Sequence, residues 1–111
     1  MKVSDIIEKL NLKVVGGEEG LRNEVTGGYT SDLLSDVMGN ADEGQVWITL
    51  QTHRNVMAVA SLKEVAAIII VKGFKADENT ISQSNDEGIP LLSTDMEAFE
   101  VSGQLYTLLK Q

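Results

Sequence analysis

At 111 residues and with no cysteine, the chain is long enough for one hydrophobic core and cannot build disulfides, thiolate metal sites or thiol nucleophiles. Seventeen acidic against nine basic residues leave a net charge of -8, which repels nucleic-acid phosphates and anionic membrane surfaces, so neither is expected as a partner. The longest purely apolar run, Val65 to Val71, falls far short of the ~20 residues that cross a bilayer, and no basic segment with an apolar stretch follows Met1, which predicts a cytoplasmic protein.

Val3, Ile6, Ile7 and Leu10 recur at spacings of three and four, so Val3 to Leu10 is predicted as a short amphipathic helix that starts near Ser4 or Asp5 and breaks at Asn11. Leu12 to Val15 is a four-residue strand. The turn Gly16-Gly17-Glu18-Glu19-Gly20 follows, its glutamates in water. Val25 to Tyr29 is a second short extended segment. Leu33, Leu34, Val37 and Met38 then mark a helix opened by Ser31 or Asp32 and closed by Gly39-Asn40 in a left-handed end position.

Gln45 to Leu50 holds Val, Trp, Ile and Thr, which favour a pleated surface, and Trp47 belongs to the core. A helix from about His53 to Leu62 buries Val56, Val59 and Ala60. Ala66 to Val71 is continuously apolar, as expected of a strand covered on both faces of a parallel sheet. Asp77 to Glu87 is a polar helix with Ile81 on its buried side and Gly88 as its stop. Ile89 to Ser93 is the last strand. Thr94 and Glu97 have the spacing of a capping box, and the final helix runs to about Leu109. The alternation of strand and helix from Gln45 onward predicts one domain over residues 1–111: a three-layer α/β/α sandwich around a mainly parallel sheet of about five short strands.

Four places could carry chemistry. Thr26-Gly27-Gly28 could present backbone donors and a hydroxyl to an anion, or could be a turn that only glycine permits. Thr49, Thr52, His53 and Asn55 lie where the first strong strand hands over to its helix, the end of a parallel sheet at which ligands bind. A helix start there favours an anion, and Arg54 would reinforce the field; the alternative is that Thr52 only caps the helix. Ser93-Thr94-Asp95 occupies the equivalent place after the last strand, with capping again the competing reading. Asp32, Asp36, Asp42 and Glu43 could attract a cation, but their spacing matches no calcium loop, and one histidine without a partner set predicts no metal site. His53 with Asp32 or Asp95 would be the only acid and base pairing available, and it has no motif behind it.

The ordered set Glu24-Val25-Thr26-Gly27-Gly28, Ser31-Asp32-Leu33-Leu34, Ile48-Thr49 with His53-Arg54, Ala67 to Gly73, and Gly88-Ile89-Pro90-Leu91-Leu92-Ser93-Thr94 resembles the DRTGG domain. The chain departs from the pattern in having Glu24-Val25 where the family's letters are Asp-Arg. DRTGG domains accompany phosphate acetyltransferases and the regulatory regions of some inorganic pyrophosphatases with CBS domains, and their fold is similar to the amino-terminal domain of HPr kinase/phosphorylase. The phosphate loop of kinase chemistry is missing from this chain. The resemblance implies a non-catalytic regulatory module without a cofactor, a homodimer that senses a small anionic ligand such as an adenine nucleotide. Thr26, Gly27, Gly28, Asp32, Thr49, Thr52, His53, Ser93 and Thr94 are the expected ligand residues. The alternative is an interaction subunit that docks a larger metabolic or redox enzyme through an apolar surface.

Overall fold

The computed structural model describes residues 1–53 and 55–111. Ten elements alternate along it: α1 (Val3–Leu10), β1 (Lys13–Gly16), β2 (Gly27–Thr30), α2 (Leu34–Asn40), β3 (Gln45–Thr49), α3 (Asn55–Lys63), β4 (Ala67–Ile70), α4 (Glu78–Glu87), β5 (Leu91–Ser93) and α5 (Ala98–Leu109), with a short 3-10 turn over Glu18–Gly20. The strands form one sheet in the order β1-β5-β4-β3-β2. β2, β3, β4 and β5 run parallel, whereas β1 joins the edge antiparallel to β5 and carries a bulge between Val14 and Gly16. The expected α/β/α sandwich around a mainly parallel sheet is present.

Period-two alternation sorts the sheet into two cores. Val46, Ile48, Ala67, Ile69 and Leu92 point to the side covered by α1 and α5, where Val3, Ile6, Leu10, Val101, Leu105 and Leu108 meet them. Trp47, Ile68, Ile70 and Leu91 point to the side covered by α2, α3 and α4. Both faces of β4 are therefore buried, which is why Val65 to Val71 reads as one unbroken apolar run. Trp47 is fully buried and its indole N–H donates to the Ser31 carbonyl at 2.9 Å.

Several helix ends differ from expectation. α2 starts without Ser31 or Asp32 as its cap: the Ser31 hydroxyl accepts only from the Leu33 N–H, and the Asp32 carboxylate is taken by β3. Its other end is Ala41 in an extended conformation, so Gly39-Asn40 stays inside the helix and no left-handed residue is used. The Thr94 to Glu97 capping box does not form; the Thr94 hydroxyl accepts from Met96 N–H in a local turn, and the Glu100 carboxylate reaches back to Glu97 N–H, one turn later. α4 buries Thr80 and Ser84 completely, with Ile81 only half-buried. Its polar face lies close to β1 because Gly16 has no side chain: a Cβ there would come within 2.3 Å of the Ser84 hydroxyl.

Candidate functional site

The expected ligand residues fall at opposite ends of the sheet. Gly27 pairs with Gln45 and Thr30 with Ile48, so Thr26, Gly27 and Gly28 sit at the amino end of the parallel strands. They line a cleft of about 500 Å³ between the β2 edge and α5, shared with Gln45, Leu105 and Tyr106. The Thr26 hydroxyl donates to the Glu43 carbonyl at 3.0 Å and the Thr26 N–H to the Gly44 carbonyl at 2.9 Å. Gly28 lets α5 approach β2, because a Cβ on it would stand 3.1 Å from a methyl of Leu105. Gly28 thus serves close packing at the floor of this cleft, whereas a Cβ on Gly27 would meet only the Gln45 side chain, at 3.7 Å.

Asp32, Thr49, Thr52, His53, Ser93 and Thr94 gather at the carboxyl end. Asp32 accepts from the buried Thr49 hydroxyl at 2.9 Å and from Leu50 N–H at 2.7 Å, while the Gln51 amide donates to the Asp32 carbonyl at 2.7 Å. Gln51 N–H donates to the Thr49 oxygen at 3.1 Å. This network locks the turn after β3 and leaves the Asp32 carboxylate engaged with its own chain. His53 is 76% exposed and its Nδ1 lies 3.5 Å from Asp77, so its carboxylate neighbour is neither Asp32 nor Asp95. Arg54 lies outside the described residues. The Thr52 carbonyl is 3.0 Å from the Thr80 hydroxyl, whose one proton is shared with Asp77 Oδ1 at 2.7 Å. The Thr80 hydroxyl, the Thr80 N–H and His53, in that order, hold the Asp77 carboxyl below its usual value. On α2, the hydroxyls of Ser31 and Tyr29 likewise lower the Asp36 carboxyl, and Asp36 raises the Tyr29 phenol in return. Among the described residues, no three His, Asp or Glu side chains converge as a metal set would.

The helix after β4 packs on one face of the sheet and the helix after β5 on the other. Adjacent loops therefore diverge between β4 and β5, which is where open α/β sheets leave a crevice for ligands. It has a volume of about 500 Å³, with Lys13, Gly73, Phe74, Lys75, Ser93 and Asp95 on its walls. Lys13 reaches it through the pairing of β1 with β5, in which Lys13 lies opposite Ser93. The N–H groups of Lys72 and Gly73 donate to the carbonyls of Met96 and Thr94 at 2.9 Å each, so backbone donors are used in joining the two loops. Positive charge is left to side chains. Among the described residues the ion pairs are Met1 and Lys2 with Glu24, His53 with Asp77, and Lys72 with Glu97, and they include neither Lys13 nor Lys75. Phe74 offers a half-exposed ring beside them. Sequence reasoning missed Lys13, Phe74 and Lys75. The signal within reach was Lys72-Gly73-Phe74-Lys75 directly after the apolar strand.

Among the described residues, no helix is long and apolar enough to cross a membrane. No curated protein matches the sequence. Among solved structures, the CBS and DRTGG domains of the regulatory region of Clostridium perfringens pyrophosphatase, complexed with the activator diadenosine tetraphosphate, superpose with a TM-score of 0.72 at 15% identity. The match covers 95% of this chain and 45% of that one, so the present sequence spans less than half of its length. At that identity the likeness is one of fold. The family model of the DRTGG domain matches residues 5–108, nearly the whole sequence. The chain belongs to the DRTGG domain family.

Proposed function

We propose that the chain is a non-catalytic regulatory module that binds a small anionic ligand, an adenine nucleotide being the best candidate, and acts as a homodimer. The observation that carries the ligand reading is the crevice between the β4 and β5 loops, where Lys13 and Lys75 face a common cavity with the Phe74 ring in a chain of net charge -8. Ammonium groups suit phosphates and an exposed ring suits a base. Ser93 and Asp95 line the crevice with the lysines, Thr94 borders the neighbouring depression, and Thr52 and His53 stand at the α4 side of the same sheet end. The structural neighbour lends support, because that regulatory region is complexed with the activator diadenosine tetraphosphate. Thr26, Gly27 and Gly28, with Asp32 and Thr49, shape the domain around the site and leave phosphate contact to the lysines.

Calorimetric titration of the purified chain with AMP, ADP, ATP, diadenosine tetraphosphate and acetyl phosphate tests the reading. Saturable heat from at least one adenine nucleotide is expected, reduced about tenfold in affinity by Lys75→Glu, a charge reversal worth about 1.4 kcal/mol at the phosphate. A flat response to the whole panel overturns it. For the homodimer, light scattering should give twice the 12.0 kDa chain mass, and a 12.0 kDa particle at millimolar concentration refutes it.

A second reading, a subunit that docks a larger enzyme, is favoured by the strongly exposed Leu33, just before α2, and Leu62 on α3. It predicts a defined partner in a pull-down from native extract, lost in the Leu33→Asp, Leu62→Asp double variant.

A further inference from the structure

The helix α5 carries three features that its own chain does not explain. Phe99 is 89% exposed and Tyr106 is 65% exposed. Between them sits Gly103, in mid-helix, with nothing within 4 Å of the Cβ it lacks. A glycine inside a helix costs about 1 kcal/mol relative to alanine, and no neighbour in this chain needs the space. Elsewhere the surface is acidic, yet Ala98–Leu109 holds a single charged residue, Glu100. Positions 99, 103 and 106 follow the i, i+4, i+7 spacing that puts them on one face.

We infer that this face of α5 packs against α5 of a second copy, antiparallel, about a twofold axis that passes beside Gly103. This rests on the homodimer reading above and names its surface. An isologous contact requires one patch that is complementary to itself. Here the knobs, Phe99 and Tyr106, and the hole, Gly103, are on the same helix and three or four residues apart. Antiparallel crossing at Gly103 sets each Phe99 against the partner helix near Tyr106. It leaves the glycines where the axes approach most closely.

Charge selects the direction. Glu97 caps the start of α5 and Glu100 lies in its first turn, and Lys110 follows its last turn, with the ammonium 5.2 Å from the Tyr106 ring centre. A parallel arrangement would oppose like charges at both ends. The antiparallel one brings Lys110 of one copy beside the acidic first turn of the other, and two chains of net charge -8 meet through a nearly uncharged face. A stable interface buries about 800 Å² per partner, close to an eighth of the 6076 Å² surface, and α5 with α1 makes up one whole outer layer of the sandwich. A depression of about 670 Å³ between α1 and α5, bordered by Lys9, Phe99, Gly103 and Thr107, lies ready for an aromatic side chain of the partner.

The absence of cysteine makes a direct test possible. Gly103→Cys is expected to cross-link into a dimer on mild oxidation, since a disulfide needs Cα atoms within about 7 Å, whereas Leu62→Cys on the opposite layer remains a single chain on a denaturing gel. Phe99→Glu is expected to weaken the dimer about 100-fold by light scattering while its circular dichroism and nucleotide titration stay as in the wild type. A wild-type particle of 12.0 kDa would sink the homodimer and this surface together. A wild-type dimer that survives Phe99→Glu, or that cross-links through Leu62→Cys and not through Gly103→Cys, refutes only the α5 surface.

Discussion

The two ends of the sheet divide the labour of the domain. At the amino end, Thr26 and Gly28 have structural partners: a hydroxyl bonded to the Glu43 carbonyl and a missing side chain that admits Leu105. At the carboxyl end, Asp32 and Thr49 fix one loop, and the neighbouring crevice keeps two lysines and a ring outside any ion pair among the described residues. The family's most recognisable letters therefore sit on the scaffold side. Polar groups that have found partners in their own chain hold a fold, and those left at the surface can meet a ligand.

The most damaging way to probe this contrast is Thr49→Val. The hydroxyl is buried, donates to Asp32 and accepts from Gln51, so its loss leaves the Gln51 N–H without this acceptor and Asp32 with the Leu50 N–H alone, and is expected to cost about 2 kcal/mol in urea denaturation. A change within about 0.5 kcal/mol would mean that the network is dispensable. Gly28→Val comes next, at about 1 kcal/mol, because Leu105 must shift to admit the new methyls. Weaker stability with an intact nucleotide titration is the expected pair of results, and lost binding at full stability would move the ligand to the amino end.

Asp77 offers a pH test at the carboxyl end. Its carboxyl is held below the ordinary 3.8, so its contribution to stability is complete above that value and disappears as pH falls through the lower folded-state value. Asp77→Asn should lower stability at neutral pH, where the carboxylate's contribution is complete, and flatten the further loss below pH 3.8; an unaltered acid limb would contradict the assignment. The smallest structural effect belongs to Lys75→Glu. Stability should stay within about 0.5 kcal/mol of the wild type while nucleotide affinity drops, which separates a binding group from a folding group.

Helices and buried strands were legible in the sequence because apolar spacing alone decides them. Val3, Ile6 and Leu10 mark α1, and the unbroken Ala66 to Val71 run marks a strand covered on both faces. Helix ends were less legible. Asp32 and Thr94 are good capping residues by type, but each found a partner elsewhere, Asp32 across the sheet and Thr94 in its own turn. The antiparallel edge was hidden too, and with it the crevice that Lys13 lines. Lys13 stands 80 positions from Ser93 in the chain and comes beside it only through the β1–β5 pairing. No local pattern encodes that meeting.

The buried face of α4 has a dynamic consequence. Thr80 donates to the Thr52 carbonyl and Asn85 accepts from Gly17 N–H at 2.8 Å, whereas the buried Ser84 hydroxyl bonds inside the helix to the Ile81 carbonyl, and little apolar area is removed from water. Such a unit opens at a lower free energy than the strands of the core. Amide exchange in α4 should run ahead of that in β4. Since Lys75, Ala76 and Ile81 form one wall of the crevice, occupancy there would slow this exchange, and the fluctuation of one helix would report ligand to whatever leans on it.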